Sequence, residues 1–165
     1  MSVSGYDTVD VTGLLGTDYT VVAKGVTAPT APGYDYHYLV HLDDASGTGN
    51  NSTGIVHTNT SGSTRGFYAF HAVGGVGQLN ALGVAGNFST TSGAGTNTPF
   101  AAAFRIKDND FAISYNSSTV ITDTAGSVGS RTRLIIGNRY GFTTTNAWQG
   151  PISRVAILAD AVVDA

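Results

Sequence analysis

The chain has 165 residues, of which 41% are hydrophobic and only 12% are charged, and its net charge is −3. Its length and hydrophobic share suit one globular domain, but the charged share is about half of the usual quarter. The eight basic residues are scattered from Lys24 to Arg154, which excludes the concentrated basic patch typical of nucleic-acid binding. The longest apolar stretches run about five residues, whereas a membrane-spanning helix needs about 20, so no membrane insertion is expected.

The residue types favour strands over helices. All eleven acidic residues are aspartate, and glutamate, which favours helices, does not occur. The 22 glycines, together with many threonines, serines and asparagines, suit short strands joined by tight turns. The chain has no cysteine, so its stability is expected to rest on packing without disulfides.

The first half of the chain contains strand-like segments separated by turn-forming residues. Tyr19–Val26 is rich in β-branched residues and predicts a strand. Residues 34–42 predict another, because apolar or aromatic residues alternate there and are expected on one face: Tyr34, Tyr36, Tyr38, Val40 and Leu42. Residues 55–60, 67–73 and 78–88 are predicted as further strands, the last interrupted by glycines.

The second half is more regular. It predicts strands at residues 100–107, 111–115, 119–122, 133–137 and 152–158, with a long surface loop at residues 89–98. No window has a convincing helical apolar spacing, and only the final ADAVVDA suits a helical turn. We therefore predict an all-β fold, an antiparallel two-sheet β-sandwich formed by residues 1–165 as a single domain.

The order of segments in the second half carries a family resemblance. AAAFRIKDNDFAISYN forms a hairpin pattern, LIIGNRYG contains an "iG" strand, and WQGPISRVAIL matches a "G-x-I-x-x-v-x-i" strand. This order resembles the end of a concanavalin A-like, laminin G-like jelly roll, and YTVVAKGV and YHYLVHLDD resemble its earlier strands. The low charge, the Asn/Thr/Gly-rich composition and the lack of cysteine are similar to laminin G-like domains of bacteriophage virion proteins.

The resemblance implies a location and a function. It implies a non-catalytic glycan-binding or structural module on the virion surface, in a tail fibre, spike or capsid decoration, made in the host cytoplasm. The expected partners are a cell-surface glycan, other virion proteins and identical copies in a homo-oligomer. The alternative is a purely structural capsid or fibre decoration protein without a carbohydrate ligand.

A catalytic role is not expected. Glucanases that the fold resembles use an E-x-D-x-x-E strand motif, and a retaining mechanism needs two carboxyl groups about 5–5.5 Å apart. Without glutamate this motif is impossible, and no D-x-D-x-x-D replaces it. A hydrolase that uses aspartates is therefore the weakest interpretation.

The histidines do not predict a metal site. His37 and His41 are expected on one face of a strand, where four residues span about 13 Å, too far for one ion. The run DDASGTGNN at residues 43–51 is richer in oxygen ligands, and the resemblance implies that such loops can hold calcium, with Asp43 and Asp44 as candidate ligands. Tight-turn chemistry explains the same residues, so no cofactor is expected and calcium remains the open alternative.

A second loop is the candidate glycan site. Residues 138–149 combine aromatic, guanidinium and amide side chains, which suit a sugar: Arg139, Tyr140, Asn146, Trp148 and Gln149. The alternative is that Trp148 plugs one end of the sandwich and that Arg139 pairs with an aspartate. The tyrosines at residues 34–38 are the other candidate, lining either a concave sheet face or an edge against an identical subunit.

Overall fold

A computed structural model describes residues 7–27, 36–59, 65–79, 87–90, 96–116, 120–139 and 147–159. The regular secondary structure in these ranges consists entirely of strands. The strands are β1 (Asp7–Asp10), β2 (Tyr19–Val26), β3 (Tyr36–Asp43), β4 (Ser52–Asn59), β5 (Arg65–Val73), β6 (Val76–Gly77), β7 (Asn87–Thr90), β8 (Pro99–Ile106), β9 (Phe111–Tyr115), β10 (Ile121–Asp123), β11 (Arg133–Ile136) and β12 (Ile152–Ala159). In the part of the chain so described, a helix long and apolar enough to cross a bilayer is absent.

The strands form two antiparallel sheets. The larger sheet has the order β1-β11-β3-β4-β5-β6, with β7 also paired to β5, and the smaller one has the order β10-β9-β8-β2-β12. Strands β3, β4 and β5 are joined as consecutive antiparallel neighbours, whereas β11 returns from far along the chain to pair with β3. The predicted antiparallel two-sheet sandwich is confirmed.

The core lies between the sheets because side chains alternate along each strand. In β8 every second residue is buried, and its inward residues lie opposite inward residues of β2, such as Phe104 opposite Val21. The apolar side chains that meet across the two sheets include Tyr19, Val21, Leu39, Val40, Leu42, Ile55, Phe67, Phe104, Phe111 and Ile113. Burial of each large side chain stabilises the fold by roughly 1.5–3 kcal/mol relative to exposure.

The predicted strands agree with the structure unevenly. The bounds of β2 and β9 are as predicted. Of the strand predicted at 78–88, residues 78 and 79 follow the short β6 and are not in a strand, and residues 87 and 88 belong to β7. The rest of this prediction, residues 80–86, lies outside the described residues. Strand β1 was not predicted, because all four of its residues are exposed and it pairs only with β11 at the edge of the sheet. The final six residues, predicted to suit a helical turn, lie outside the described residues.

A bulge in β3 changes which of its side chains face outward. Tyr38 lies opposite Val56, but Val40 lies opposite Ile55, so Leu39 is an extra residue in the pairing. Leu39 and Val40 consequently both enter the core. The expectation that His37 and His41 share a face is therefore wrong: His37 pairs with the inward His57, and His41 faces outward.

Candidate functional site

A cleft lies on the outer face of the larger sheet. It has a volume of about 240 Å³ and is lined by Tyr36, Tyr38, Ser52, Val56, Phe70 and Arg139. The first five come from the adjacent strands β3, β4 and β5, whose pairing places them on one face, and Arg139 follows β11. Two tyrosines of the predicted aromatic row thus line a cleft together with Arg139, while Tyr34 lies outside the described residues.

Aromatic rings form the walls of this cleft. The rings of Tyr38 and Phe70 meet edge to face, with centroids 5.9 Å apart. Tyr38 is buried, at 6% exposure, whereas Tyr36 is 41% exposed and presents its side chain to solvent. The cleft therefore combines a fixed aromatic wall with an accessible ring at its edge.

Gly54 of β4 makes room for Phe70. A Cβ atom at Gly54 would lie 2.6 Å from the Phe70 ring and 2.5 Å from the carbonyl oxygen of Val40. Phe70 lies directly opposite Gly54 in the β4–β5 pairing. Only glycine allows this close approach, so the lack of a side chain at Gly54 is what lets the Phe70 ring form the cleft wall.

Arg139 is held over the Tyr38 ring. Its guanidinium carbon lies 5.6 Å from the ring centroid, and Nη1 donates a hydrogen bond to the Tyr38 hydroxyl at 3.0 Å. On its other side, the guanidinium lies against Gly49 in the loop between β3 and β4, where a Cβ atom would be 3.0 Å from Nη2. The side chain is thus oriented by contacts with a strand and a loop.

His41 lies behind the aromatic wall. Its ring stacks on Phe70 at 5.7 Å and meets the edge of Tyr38 at 6.0 Å, and its exposure is 1%. Neither ring nitrogen has a hydrogen-bond partner among the described residues. Burial lowers the pKa of His41 to about 4, with Asp43 opposing this effect and Arg139, Arg133 and Arg131 adding to it. His41 is therefore neutral at neutral pH.

Asp43, a candidate calcium ligand, is part of a buried ion pair. Its two carboxylate oxygens accept hydrogen bonds from Nε and Nη2 of Arg133 at 2.8 and 2.7 Å. The Ala45 amide also donates to this carboxylate, at 3.0 Å. Bidentate arginine–carboxylate pairs have this geometry and neutralise each other's charge.

Asp44, the second calcium candidate, organises its own turn. It accepts hydrogen bonds from the Ser46 amide at 3.0 Å, the Ser46 hydroxyl at 2.6 Å and the Asn51 side-chain amide at 2.7 Å. Burial raises the pKa of Asp44, but these hydrogen bonds outweigh it and the pKa is lowered. No cluster of three or more metal-ligating side chains occurs within the described ranges. Whether calcium binds this loop stays an open prediction.

Trp148 lies on the inner side of the larger sheet. The centroid of its ring lies 5.4 Å from that of Phe100, 6.0 Å from that of His57 and 6.2 Å from that of Phe67. The backbone amide of Trp148 donates a hydrogen bond to the Gly137 carbonyl oxygen at 2.8 Å. The indole is half-buried against the core, which is the position expected of a plug at one end of the sandwich. A role of Trp148 in glycan binding stays a prediction.

Those of the predicted loop residues that the structure describes do not surround one pocket. Arg139 lies at the outer cleft, Trp148 packs inward, and Gln149 is exposed. Tyr140 and Asn146 lie outside the described residues. Phe70, Val56 and Ser52 were not predicted, because their place in the cleft depends on strand pairing. A signal that the sequence does carry is the glycine at position 54 inside a strand, which indicates a close approach of another part of the chain.

A second polar cluster is enclosed in the core. The Thr53 hydroxyl lies 2.7 Å from Nδ1 of His71, Nε2 of His71 lies 2.9 Å from the Ser127 carbonyl, and Nε of Arg131 donates to Thr53. Because a carbonyl accepts only from a protonated nitrogen, His71 carries its proton on Nε2 and accepts from Thr53. Burial and then Arg131 lower the pKa of His71 to about 4. The pair resembles a nucleophile and base, but both residues are fully buried, so its role is structural.

The described aspartates at the turns serve in structural contacts. Asp10 accepts from the Thr12 amide, Asp123 from the Ala125 amide and Asp108 from the Val128 amide. Asp110 pairs with Arg105. No carboxylate is found among the described residues that line the outer cleft.

No protein-family model and no curated protein matches this chain. Among solved structures, it is similar to domains LG4-5 of the mouse laminin α1 chain, with 8% identity and a TM-score of 0.61, covering 97% of this chain and 40% of that one. The CBM40 domain of the Ruminococcus gnavus IT-sialidase, bound to α2,3-sialyllactose, has 15% identity and a TM-score of 0.62, with 99% and 91% covered.

A phage protein is also similar. The enzymatically active domain of tailspike protein 2 from bacteriophage CBA120 has 12% identity and a TM-score of 0.60, covering 89% of this chain and 23% of that chain. The chain thus spans far less than two thirds of the laminin and tailspike chains. At these identities the similarity shows the fold alone, which is the antiparallel two-sheet β-sandwich predicted from the sequence.

Proposed function

We propose that this chain is a non-catalytic carbohydrate-binding module whose sugar contact is the outer cleft of the larger sheet. The supporting observation is the aromatic-lined cleft itself, with Tyr36 accessible at its edge and Arg139 oriented over Tyr38. A volume of about 240 Å³ is below the roughly 300–1,000 Å³ of pockets for drug-sized ligands. The cleft therefore suits a single sugar ring of a longer glycan.

The lining residues match the chemistry of a sugar. The apolar face of a sugar ring stacks on an aromatic side chain, while its hydroxyls need donors and acceptors in fixed directions. Tyr36 offers a ring face with a hydroxyl, Ser52 offers a hydroxyl, and Arg139 offers guanidinium donors. Carbohydrate-binding and lectin-like domains among the structural neighbours, including one bound to sialyllactose, support this proposal.

The non-catalytic part of the proposal rests on the carboxylates. Glycoside hydrolysis ordinarily needs two carboxyl groups that flank the scissile bond. Asp43 is occupied by Arg133, and Asp44 is occupied by Ser46 and Asn51. Neither is available as a general acid or as a nucleophile at the cleft, so binding is the activity that these residues support.

The finer proposal is that the module acts on the surface of a bacteriophage particle. The sequence resemblance to laminin G-like virion domains supports it, as does the similarity to a phage tailspike. Repeated copies on a particle, in contact with other virion proteins or with each other, would raise avidity for a host glycan without any new contact at a single site.

Glycan binding can be tested with the purified chain on a panel of bacterial and animal oligosaccharides. We expect Tyr36→Ala to weaken binding by roughly tenfold, in line with the loss of an exposed aromatic contact of about 1–2 kcal/mol. Leu158→Ala, which removes an exposed side chain from the smaller sheet, is the matched control and should bind as the parent does. Failure of the parent chain to bind any member would favour the purely structural alternative.

A further inference from the structure

We infer that the cleft selects sugars that carry a carboxylate, with Arg139 as the residue that binds it. This inference rests on the proposed function, because it names the class of sugar for the same cleft. Of the described residues that line the cleft, Arg139 brings a positive charge and none brings a negative one.

Asp43, the carboxylate at the end of β3, does not add a negative charge to the cleft lining. Asp43 is almost completely buried and accepts three hydrogen bonds, two from Arg133 and one from the Ala45 amide. Its charge is thus compensated by Arg133 at the end of the strand. His41, which separates Asp43 from the aromatic wall, is neutral at neutral pH. Among these charged groups, Arg139 is the one that lines the cleft.

The chemistry of the Arg139 side chain suits a planar anion. A guanidinium presents parallel N–H donors that match the two oxygens of a carboxylate, and a charge-assisted pair of this kind is stronger than neutral hydrogen bonds. Tyr38 already fixes the side chain through its ring and its hydroxyl. Less conformational entropy is therefore lost on binding than for a freely moving arginine, and the aromatic surroundings strengthen the interaction.

The test uses matched sugars that differ in one group. Acidic oligosaccharides, each containing a uronic or sialic acid, are titrated calorimetrically beside their carboxyl-reduced neutral counterparts of the same length. We expect the parent chain to bind the acidic member at least about tenfold more tightly in one or more pairs. Equal binding within every pair would overturn the inference while leaving the proposed function intact. Absence of binding to all members would overturn both.

Variants assign the preference to Arg139. Arg139→Gln is expected to lower the affinity for both members of a pair, because guanidinium donors are lost, and to reduce the ratio of acidic to neutral affinity to less than about twofold, because the charge-assisted contact is lost. Arg154→Gln removes the same charge from an exposed position on β12 in the other sheet and should keep the full preference. If Arg139→Gln does not fold, Arg139→Lys decides, since one ammonium cannot form the paired hydrogen bonds. An unchanged preference in the folded Arg139 variant contradicts the inference.

Discussion

Arg139 donates a hydrogen bond to the hydroxyl of Tyr38 across 101 residues of sequence, with a distance of 3.0 Å between Nη1 and the phenolic oxygen. The contact exists because β11, which precedes Arg139, returns to pair with β3, which carries Tyr38. It links the loop after β11 to the wall of the cleft. The orientation of the Arg139 guanidinium therefore depends on the pairing of β11 with β3.

Removal of the Tyr38 hydroxyl should disturb the orientation of Arg139 and cost the fold little stability. We expect Tyr38→Phe to lower the free energy of unfolding by only about 0.5–1.5 kcal/mol, because the ring packing is retained and one hydrogen bond is lost. Glycan affinity should fall several-fold, since Arg139 loses its anchor. Urea denaturation and calorimetric titration check the two effects. Tyr115→Phe, which removes a hydroxyl from β9 in the smaller sheet, should leave affinity unchanged.

Gly54 provides a test of the cleft wall. Gly54→Ala places a methyl group 2.5 Å from the Val40 carbonyl oxygen and 2.6 Å from the Phe70 ring. We expect destabilisation of about 1–3 kcal/mol from overpacking, together with weaker glycan binding as Phe70 is displaced. Gly16→Ala is the control, because the nearest atom to its Cβ would be the Asp18 amide nitrogen at 3.9 Å. Equal denaturation midpoints for the two variants would contradict this account.

The buried histidines predict how stability depends on pH. Burial lowers the pKa of His71 and of His41 from 6.5 to about 4, so below pH 6.5 the unfolded chain binds more protons than the folded one. Stability should be fully present above pH 6.5 and should decrease as the pH falls towards 4, by at most about 1.4 kcal/mol per pH unit for each histidine. The lowered carboxylate pKa values of Asp10 and Asp44 act only below about pH 4.

Chemical denaturation between pH 7.5 and 4.5 measures this dependence. His71→Gln should be less stable than the parent at pH 7.5, because the contacts with Thr53 and Ser127 are altered. Its stability should nevertheless change less with pH, since one titrating group has been removed. A variant with the same pH slope as the parent would show that His71 does not keep a lowered pKa.

The sequence could predict the sandwich because local patterns determine most of its strands. Tyr19–Val26 and Phe111–Tyr115 are dense in β-branched and aromatic residues, and their bounds in the structure are the predicted ones. Strand β1 lacks such a pattern, because DTVD is exposed and depends on pairing with β11. Edge strands of this kind carry little apolar alternation to detect.

The cleft could not be predicted because it depends on register. Alternation along β3 suggested that Tyr38 and Val40 share a face, but the bulge at Leu39 separates them. The bulge is determined by how β4 pairs with β3, and nothing local in YHYLVHL specifies it. Phe70 similarly reaches the cleft only because it lies opposite Gly54 on β4. Long-range pairing therefore decided which of the predicted tyrosines could act with Arg139.

Replacement of Trp148 distinguishes a packing role of the indole from a role in glycan binding. The indole contacts Phe67, Phe100 and His57 at the end of the sandwich, and it is half-buried. We expect Trp148→Ala to cost about 3 kcal/mol of stability, at the lower end for a tryptophan, because part of the ring already contacts solvent. Thermal melting and glycan titration on the same variant check this.

The two measurements on Trp148→Ala distinguish the alternatives. A packing role predicts a strongly lowered melting temperature and, at a temperature where the variant is still folded, an affinity close to that of the parent, since Trp148 faces away from the outer cleft. A binding role predicts the reverse, an unchanged melting temperature with lost affinity. Trp148→Phe is the conservative control, because it keeps an aromatic ring against Phe100 and should recover most of the stability. An alanine variant as stable as the parent would overturn the packing role.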